Sequence, residues 1–245
     1  MRVRLDQLLV ERGLAPSRER AVRLVMAGEV LVDDRPAAKP GTRVSGDAVL
    51  RLRHAPAAYV SRGGEKLAGA LDAFGLDPAG MRVVDVGAST GGFTDCVLQR
   101  GAREVVTVDV GYGQLAWSLR QDSRVVVHER VNARTLAADF VAAPQDLAVV
   151  DVSFISLRLV LPAVMRLVRP GGTIVALVKP QFEVGPERVG SGGVVRDPAL
   201  RAEAVAGVRA AAEALGLVVR GEADSVLAGP KGNREVFLWC ERTSD

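Results

Sequence analysis

Lysine is rare in this chain, which makes its few lysines candidates for chemistry. Arginine stays charged in proteins, whereas lysine can give or take a proton. A chain that uses arginine for nearly every ordinary cation therefore directs attention to the lysines that remain. Of the 32 basic residues only four are lysine, namely Lys39, Lys66, Lys179 and Lys231.

Two carboxylates and one of these lysines lie at the ends of predicted strands. Asp151 and Lys179 end the fourth and fifth strands of the larger domain, and Glu235 begins its last strand. The carboxyl ends of parallel strands face the ligand crevice of open α/β sheets. Ion pairs of the kind that Asp151 and Lys179 could form are commonly structural. The position of this pair beside a predicted cofactor turn, together with Lys66 and Glu235, favours a reactive site.

That turn is a glycine-rich stretch over residues 83–95, which runs from an apolar strand into the start of a helix. Glycines permit the sharp bend and the close approach of backbone to a ligand, and the helix start aims free N–H groups at the turn. The residues expected to contact a cofactor here are Asp85, Gly87, Ala88, Ser89, Thr90, Gly91, Gly92 and Phe93.

A second acid sharpens the identity of that cofactor. Asp109 ends the next strand, 22 residues after Gly87, where a carboxylate hydrogen-bonds the ribose of a nucleoside. Dinucleotide sites present Gly-x-Gly-x-x-Gly, whereas this turn reads Gly-Ala-Ser-Thr-Gly-Gly. The acid Asp85, two residues before Gly87, resembles the Asp/Glu-x-Gly start of S-adenosylmethionine-dependent methyltransferases. We therefore expect S-adenosylmethionine rather than a dinucleotide.

The elements that position these groups predict an α/β fold. Uncharged strands that alternate with helices indicate a mainly parallel, Rossmann-like sheet of seven strands covered on both faces, with the last strand antiparallel. The predicted strands cover 83–86, 105–110, 125–127, 147–152, 173–179, 217–219 and 235–239. The predicted helices cover 65–74, the stretch from the turn to Gly101, 114–119, 157–168 and 197–216.

Composition excludes several other classes of protein. An apolar fraction of 48% with 25% charged residues is ordinary for a globular protein. No run of about 18 uncharged apolar residues occurs, and charge follows Met1 at once, so we expect no membrane insertion and a cytoplasmic location. Cys96 and Cys240 form neither a disulfide framework nor a metal cluster, so no metal is expected.

The N-terminal quarter carries the excess of positive charge. Residues 1–58 hold eleven basic residues against seven acidic ones, as expected of a small module that faces a polyanion. Short helices are predicted from Leu5 to Gly13 and over 18–27, the second capped by Ser17, followed by strands at 30–32 and 49–52. We predict a domain over 1–53, a linker over 54–60 and a second domain over 61–245.

This order of elements resembles the S-four-type RNA-binding domain. The matching segments are Arg4-Leu5-Asp6, residues 13–18, Ala21 and residues 28–32. The resemblance implies binding of structured RNA mainly through phosphate contacts. The side chains expected to make them are Arg4, Arg18, Arg20 and Arg23.

The reactive set resembles the Lys-Asp-Lys-Glu tetrad of FtsJ-type ribose 2′-O-methyltransferases, with Lys66, Asp151, Lys179 and Glu235 in the four places. With the N-terminal domain, the whole chain is similar to the TlyA, or haemolysin-A, family. The resemblance implies ribose methylation of ribosomal RNA at cytidine, within ribosomal subunits. It also implies a monomer and S-adenosylhomocysteine as the product. Asn132 is expected in the adenine pocket, and Arg62 and Phe154 on the RNA side.

In that chemistry a base removes the hydroxyl proton while the methyl group is transferred in line. We assign the base role to Lys179, oriented by Asp151, with Glu235 positioning Lys66 or the ribose. The residues leave open which lysine is the base, and whether the glycine-rich segment 184–193 is a lid or a surface loop. A methyltransferase for a small molecule and a membrane-lysing protein are the alternatives.

Overall fold

The computed structural model describes residues 2–15, 17–53 and 58–244. The chain divides into two compact units, Met1–Ala57 and Ala58–Asp245, each with its own core. The division falls inside the predicted linker 54–60, whose residues 54–57 lie outside the described part of the chain.

The first unit is a small α+β domain. Its three-stranded antiparallel sheet has the order β3-β2-β5, and β1 pairs with β4 in a separate antiparallel ribbon. The elements are β1 (Arg2–Arg4), α1 (Leu5–Glu11), α2 (Arg18–Met26), β2 (Val30–Val32), β3 (Arg35–Pro36), β4 (Arg43–Ser45) and β5 (Leu50–Leu52).

Local chemistry explains most of these boundaries. Ser17 caps α2 as predicted, because its side chain accepts a hydrogen bond from the Arg20 N–H. The predicted last strand starts one residue late, at Leu50, because the Val49 N–H donates to the Asp33 carboxylate, 2.8 Å away, instead of to a strand. The unit is held together by buried apolar residues of both helices and of β2 and β5, namely Leu5, Leu8, Leu9, Ala21, Val25, Val30 and Leu50.

The second unit contains a seven-stranded sheet of order β11-β12-β10-β9-β6-β7-β8. In this sheet β12 runs in the opposite direction to the other six strands. Its strands are β6 (Arg82–Val86), β7 (Glu104–Asp109), β8 (Val125–Glu129), β9 (Gln145–Val150), β10 (Val168–Val178), β11 (Leu217–Asp224) and β12 (Val236–Arg242). Its helices are α3 (Arg62–Phe74), α4 (Gly92–Gln99), α5 (Trp117–Arg120), α6 (Leu157–Leu167) and α7 (Pro198–Ala214). The predicted fold class is confirmed.

Alternation along the buried strands divides the core into two layers. Val84 and Val86 of β6 pack in the layer that holds α6 and α7, whereas Val83 packs in the layer that holds α3 and α4. Chain order runs outward from β6 through β7 to β8, and in the other direction from β9 to β10. The strand order therefore reverses between β6 and β9, the place where such sheets bind ligands.

Two predicted helices begin three residues away from their observed starts. α3 begins at Arg62 rather than 65, because Ser61 caps it and accepts from the Gly63 N–H, so Lys66 lies in its second turn and not in the first. The helix predicted over 114–119 is the single turn Trp117–Arg120. Gln114 lies before this turn, where its side-chain oxygen accepts a hydrogen bond from the Ser89 hydroxyl at 3.2 Å.

In the described ranges, no helix is long and apolar enough to cross a bilayer. Within those same ranges, no group of three or more His, Cys, Asp or Glu side chains is placed to hold a metal ion.

Candidate active site

The glycine-rich turn after β6 requires residues without a Cβ. Gly87 has φ +89°, and a Cβ there would lie 2.5 Å from the Asp151 carbonyl oxygen. Gly91 has φ +97°, and a Cβ there would lie 2.3 Å from Leu119. The turn is therefore pressed between the end of β9 and α5, with its backbone open to the cavities described below.

Asp85 is fully buried beneath this turn. One oxygen accepts from the Thr94 N–H at 2.9 Å and from the Thr94 hydroxyl at 2.6 Å, which fixes the start of α4 to β6. The other oxygen has no hydrogen-bond partner among the described residues. Burial, opposed by the Thr94 bonds and reinforced by the charge of Asp151, raises the pKa of Asp85 to about 7.

Asp109 ends β7 beside the same turn. Its carboxylate accepts from the Ser89 N–H at 2.7 Å and from the Gly111 N–H at 2.6 Å. It lines a cavity of about 980 Å³, here called the Asp109 cavity, which Asn132 also lines. The Asn132 side chain accepts from the Arg134 N–H at 3.0 Å, so its amide oxygen faces its own loop.

Lys179 follows β10 and reaches the end of the neighbouring strand. Its Nζ lies 2.6 Å from Asp151 Oδ1 and donates to the Ser153 hydroxyl at 2.8 Å. The side chain is 12% exposed and that of Asp151 24%. This ion pair is therefore within reach of a molecule in the adjoining space.

Lys66 and Glu235 form a second ion pair on the same side of the sheet. Lys66 Nζ lies 2.5 Å from Glu235 Oε2, with side chains 8% and 1% exposed. Glu235 directly precedes Val236, which pairs with Val178 across the two antiparallel strands. Lys179 and Glu235 consequently flank one cross-strand pair, which brings the two ion pairs to the same edge.

All four predicted reactive residues line one cavity of about 650 Å³, here called the lysine cavity. It shares a wall with the Asp109 cavity. That wall consists of Gly87, Ser89, Asp151, Ser153, Phe154, Gln181 and Phe182. The two lysine–carboxylate pairs therefore lie next to the Asp109 cavity, whose acid is suited to bind the ribose of a nucleoside.

Phe154 and Arg62 also line the lysine cavity. Phe154 is 92% exposed and has φ +64°, which is costly for an aromatic residue. Its ring lies 5.3 Å from that of Phe182. Arg62 is exposed, and its guanidinium donates to the Ala228 carbonyl at 2.8 Å.

In the first unit, the predicted RNA-binding arginines fall into two groups. Arg4 and Arg18 both donate to Asp6, a carboxylate that is 1% exposed. The hydrogen bond from Arg4 is the main reason that the pKa of Asp6 is lowered to about 2. Arg20 and Arg23 are exposed on α2, and Arg23 lies 3.5 Å from Glu19.

Several residues of this region escaped sequence reasoning. Ser153 holds Lys179, and Thr94 holds Asp85. Glu183 is buried and accepts from the Ser156 hydroxyl at 2.6 Å and the Leu157 N–H at 2.7 Å, closing the start of α6, and burial raises its pKa. The sequence feature that could have indicated such residues is the run of polar residues after each buried strand.

The glycine-rich segment 184–193 borders both cavities. Gly185 and Pro186 line the Asp109 cavity, and Val189 and Gly193 line the lysine cavity. Gly190 forms an isolated bridge with Val194.

S-adenosylmethionine-dependent methyltransferases have this fold. They combine a seven-stranded sheet with a glycine-rich turn where the strand order reverses, and with an acid at the end of the next strand that binds the ribose of the cofactor. A solved structure of such an enzyme from Mesorhizobium loti shares that fold, with a TM-score of 0.52 and 18% identity over 71% of this chain and 96% of the other. The model of the FtsJ-like methyltransferase family matches residues 59–242, and that of the S4 domain, the S-four-type domain above, matches residues 3–50. The chain belongs to the FtsJ-like methyltransferase family.

Closer relatives match the chain from end to end. The 16S/23S rRNA (cytidine-2′-O)-methyltransferase TlyA of Mycobacterium tuberculosis is 53% identical over 245 residues, covering 100% of this chain and 91% of the relative. A solved structure from Streptococcus thermophilus, described as a candidate hemolysin, is 43% identical with a TM-score of 0.76, covering 100% of this chain and 90% of the other. The resemblance to the TlyA family is thereby confirmed.

Proposed function

We propose that this protein methylates a ribose 2′-hydroxyl of ribosomal RNA at cytidine, using S-adenosylmethionine and releasing S-adenosylhomocysteine. The observation that carries the proposal is the shared wall between the lysine cavity and the Asp109 cavity. A ribose in the first would adjoin a nucleoside in the second. The name of the Mycobacterium tuberculosis relative supports the choice of ribosomal RNA and of cytidine.

The residues present fit the cofactor. A Cβ at Gly87 would collide with Asp151. Glycine at this position therefore lets the backbone of the turn pack directly against the segment after β9, at the shared wall. Asp109 lines the neighbouring cavity and is suited to ribose hydroxyls. Asn132 would border the adenine, and the turn residues 87–93 would border the methionine portion. When bound, S-adenosylmethionine supplies a methyl group already activated for transfer.

Lys179 is the base in this proposal. Ser153 and Asp151 hold its Nζ at two points, so the amine is oriented before a ribose arrives. The 2′-oxygen gains the methyl carbon and loses its proton to the Lys179 amine in its neutral form. Lys66 is held by Glu235 at the wall of the same cavity.

The RNA would be held by groups outside the reacting pairs. Phe154 presents an exposed ring at the cavity that can stack on a base. Arg62 lies at the same cavity. On the first unit, Arg20 and Arg23 are exposed and can contact phosphates, Arg23 from beside Glu19, while Asp6 fixes the directions of Arg4 and Arg18.

Transfer of labelled methyl from S-adenosylmethionine to purified ribosomal subunits tests the proposal. Activity should depend on the first unit as well as on the lysine cavity. Arg20→Gln with Arg23→Gln should weaken methylation of the subunits, with cofactor affinity unchanged by calorimetry. Full activity of that variant, together with methylation of a small molecule, would favour the small-molecule alternative.

A further inference from the structure

A third cavity, of about 530 Å³ and here called the arginine cavity, is lined by four basic residues and one acidic residue among the residues that the structure describes. Within the described ranges, none of its four basic side chains forms an ion pair. Asp197, which is the acid among the described residues of its wall, accepts from the Ala199 N–H at 2.8 Å as the cap of α7. The four basic residues are Arg196, Arg201, Lys231 and Arg234.

Other arginines of this unit are satisfied in a different way. Arg188 pairs with Glu203, Arg209 with Glu222, and Arg220 with Glu241. These three arginines are therefore paired with acids, whereas among the described residues the acid of the arginine cavity, Asp197, caps a helix and pairs with none of the four basic side chains. Neighbouring cations that are not paired with acids raise the local positive potential and attract an anion.

The arginine cavity is fixed relative to the reacting groups. Asn233, 2% exposed, accepts from the Val195 N–H at 2.9 Å and donates to the Gly193 carbonyl at 2.8 Å. It joins the two walls of the cavity and lies two residues before Glu235. Lys231 lines both the arginine cavity and the lysine cavity, so the two spaces adjoin.

We propose that the arginine cavity binds a backbone phosphate of the RNA strand that carries the target ribose. This inference rests on the proposed function. Guanidinium groups bind phosphate oxygens bidentately, and backbone phosphates flank every ribose. A phosphate held beside Lys231 would set the register of the strand, since phosphate contacts position a nucleic acid without reading its sequence.

The test is the double variant Arg201→Gln, Arg234→Gln, assayed on ribosomal subunits over a range of salt concentrations. KM should rise roughly tenfold with kcat retained, and the slope of log(kcat/KM) against log[salt] should become shallower by about 0.7–0.9 per lost contact. The charge-retaining pair Arg201→Lys, Arg234→Lys should restore the slope. Arg209→Gln, Arg220→Gln, which removes two arginines that are already paired, is the matched control.

The outcomes separate this inference from the function on which it rests. Absence of RNA methylation by the unaltered protein would contradict the proposed function. Methylation by the unaltered protein, with KM and salt slope unchanged in Arg201→Gln, Arg234→Gln, would overturn only the phosphate site. A loss of kcat alone, or equal effects in the control variant, would also overturn it.

Discussion

The two lysine–carboxylate pairs share one cavity but differ in their surroundings. Lys66 lies on α3 and is 8% exposed, and Glu235 lies directly before β12 and is 1% exposed. Lys179 and Asp151 are 12% and 24% exposed, follow neighbouring parallel strands, and include Ser153 as a third member.

That difference separates two tasks. In the more deeply buried pair, removing one partner leaves a costly buried ion. A pair that borders open space can exchange a proton with a substrate. We therefore propose Lys179 for proton transfer and Lys66 for an electrostatic role, and the following variants test this division.

The largest expected effect is on turnover. Lys179→Ala should lower the rate of methyl transfer by about 10²–10⁴-fold, the usual contribution of a general base. Lys179→Arg should be equally inactive, because arginine keeps the charge but cannot accept the proton. Single-turnover transfer of labelled methyl measures both. An active Lys179→Arg would remove the base role and leave only an electrostatic one.

The next effect is on stability and should distinguish the pairs. Glu235→Ala leaves the Lys66 ammonium buried, which costs about 3–5 kcal/mol, or a fall in Tm of roughly 10 °C for a domain of this size. Asp151→Ala, the matched change in the more open pair, should cost about 1 kcal/mol. Thermal unfolding followed by circular dichroism compares them. Equal falls in Tm would contradict the proposed difference.

A smaller effect on the rate is expected from the third member of the open pair. Ser153→Ala removes one hydrogen bond to Lys179, worth about 0.5–1.5 kcal/mol, and should lower kcat roughly 2–10-fold with cofactor affinity unchanged. Thr107→Ala, at a buried hydroxyl in the middle of β7, is the control. A change in cofactor affinity without a change in kcat would place Ser153 in cofactor binding instead.

Asp85 is a buried carboxylate that forms no ion pair among the described residues. Its pKa is raised from 3.8 to about 7, mainly by burial, so the folded protein keeps a proton that the unfolded chain releases. The free energy of unfolding should therefore fall as pH rises from about 4 to about 7, by at most about 1.4 kcal/mol per pH unit, and then level off.

Asp85→Asn should remove that dependence while keeping an oxygen for both Thr94 bonds. Melting curves of the two proteins without cofactor, from pH 5 to 8.5, give the comparison. A wild-type Tm that tracks the variant at a constant offset across this range would show that Asp85 does not titrate there.

The ends of the strands and the glycine-rich turn could be predicted from the sequence, because both depend on the pattern of neighbouring residues. The order Gly87, Asp109, Asp151 and Lys179 follows from apolar strands that all end at one edge. The partner of Lys66 lies 169 residues away in Glu235, so resemblance could assign both to one site but the pattern could not show their contact.

Other features depend on packing that no local pattern contains. The early start of α3 depends on the Ser61 cap, which lies outside the predicted helix 65–74. Phe154 follows a buried strand, where aromatic residues are usually core, yet its positive φ turns the ring into solvent. Asn233 joins two segments 38–40 residues away, at Val195 and Gly193.

The central claim is tested most directly by mapping 2′-O-methyl groups on ribosomal RNA. Ribosomal subunits that lack the modification would be incubated with S-adenosylmethionine and either the unaltered protein or Lys179→Arg. The account predicts a new methyl group on a cytidine ribose with the unaltered protein and none with the variant. A methyl group on a base atom, no methyl group on RNA, or equal modification by both proteins would contradict it.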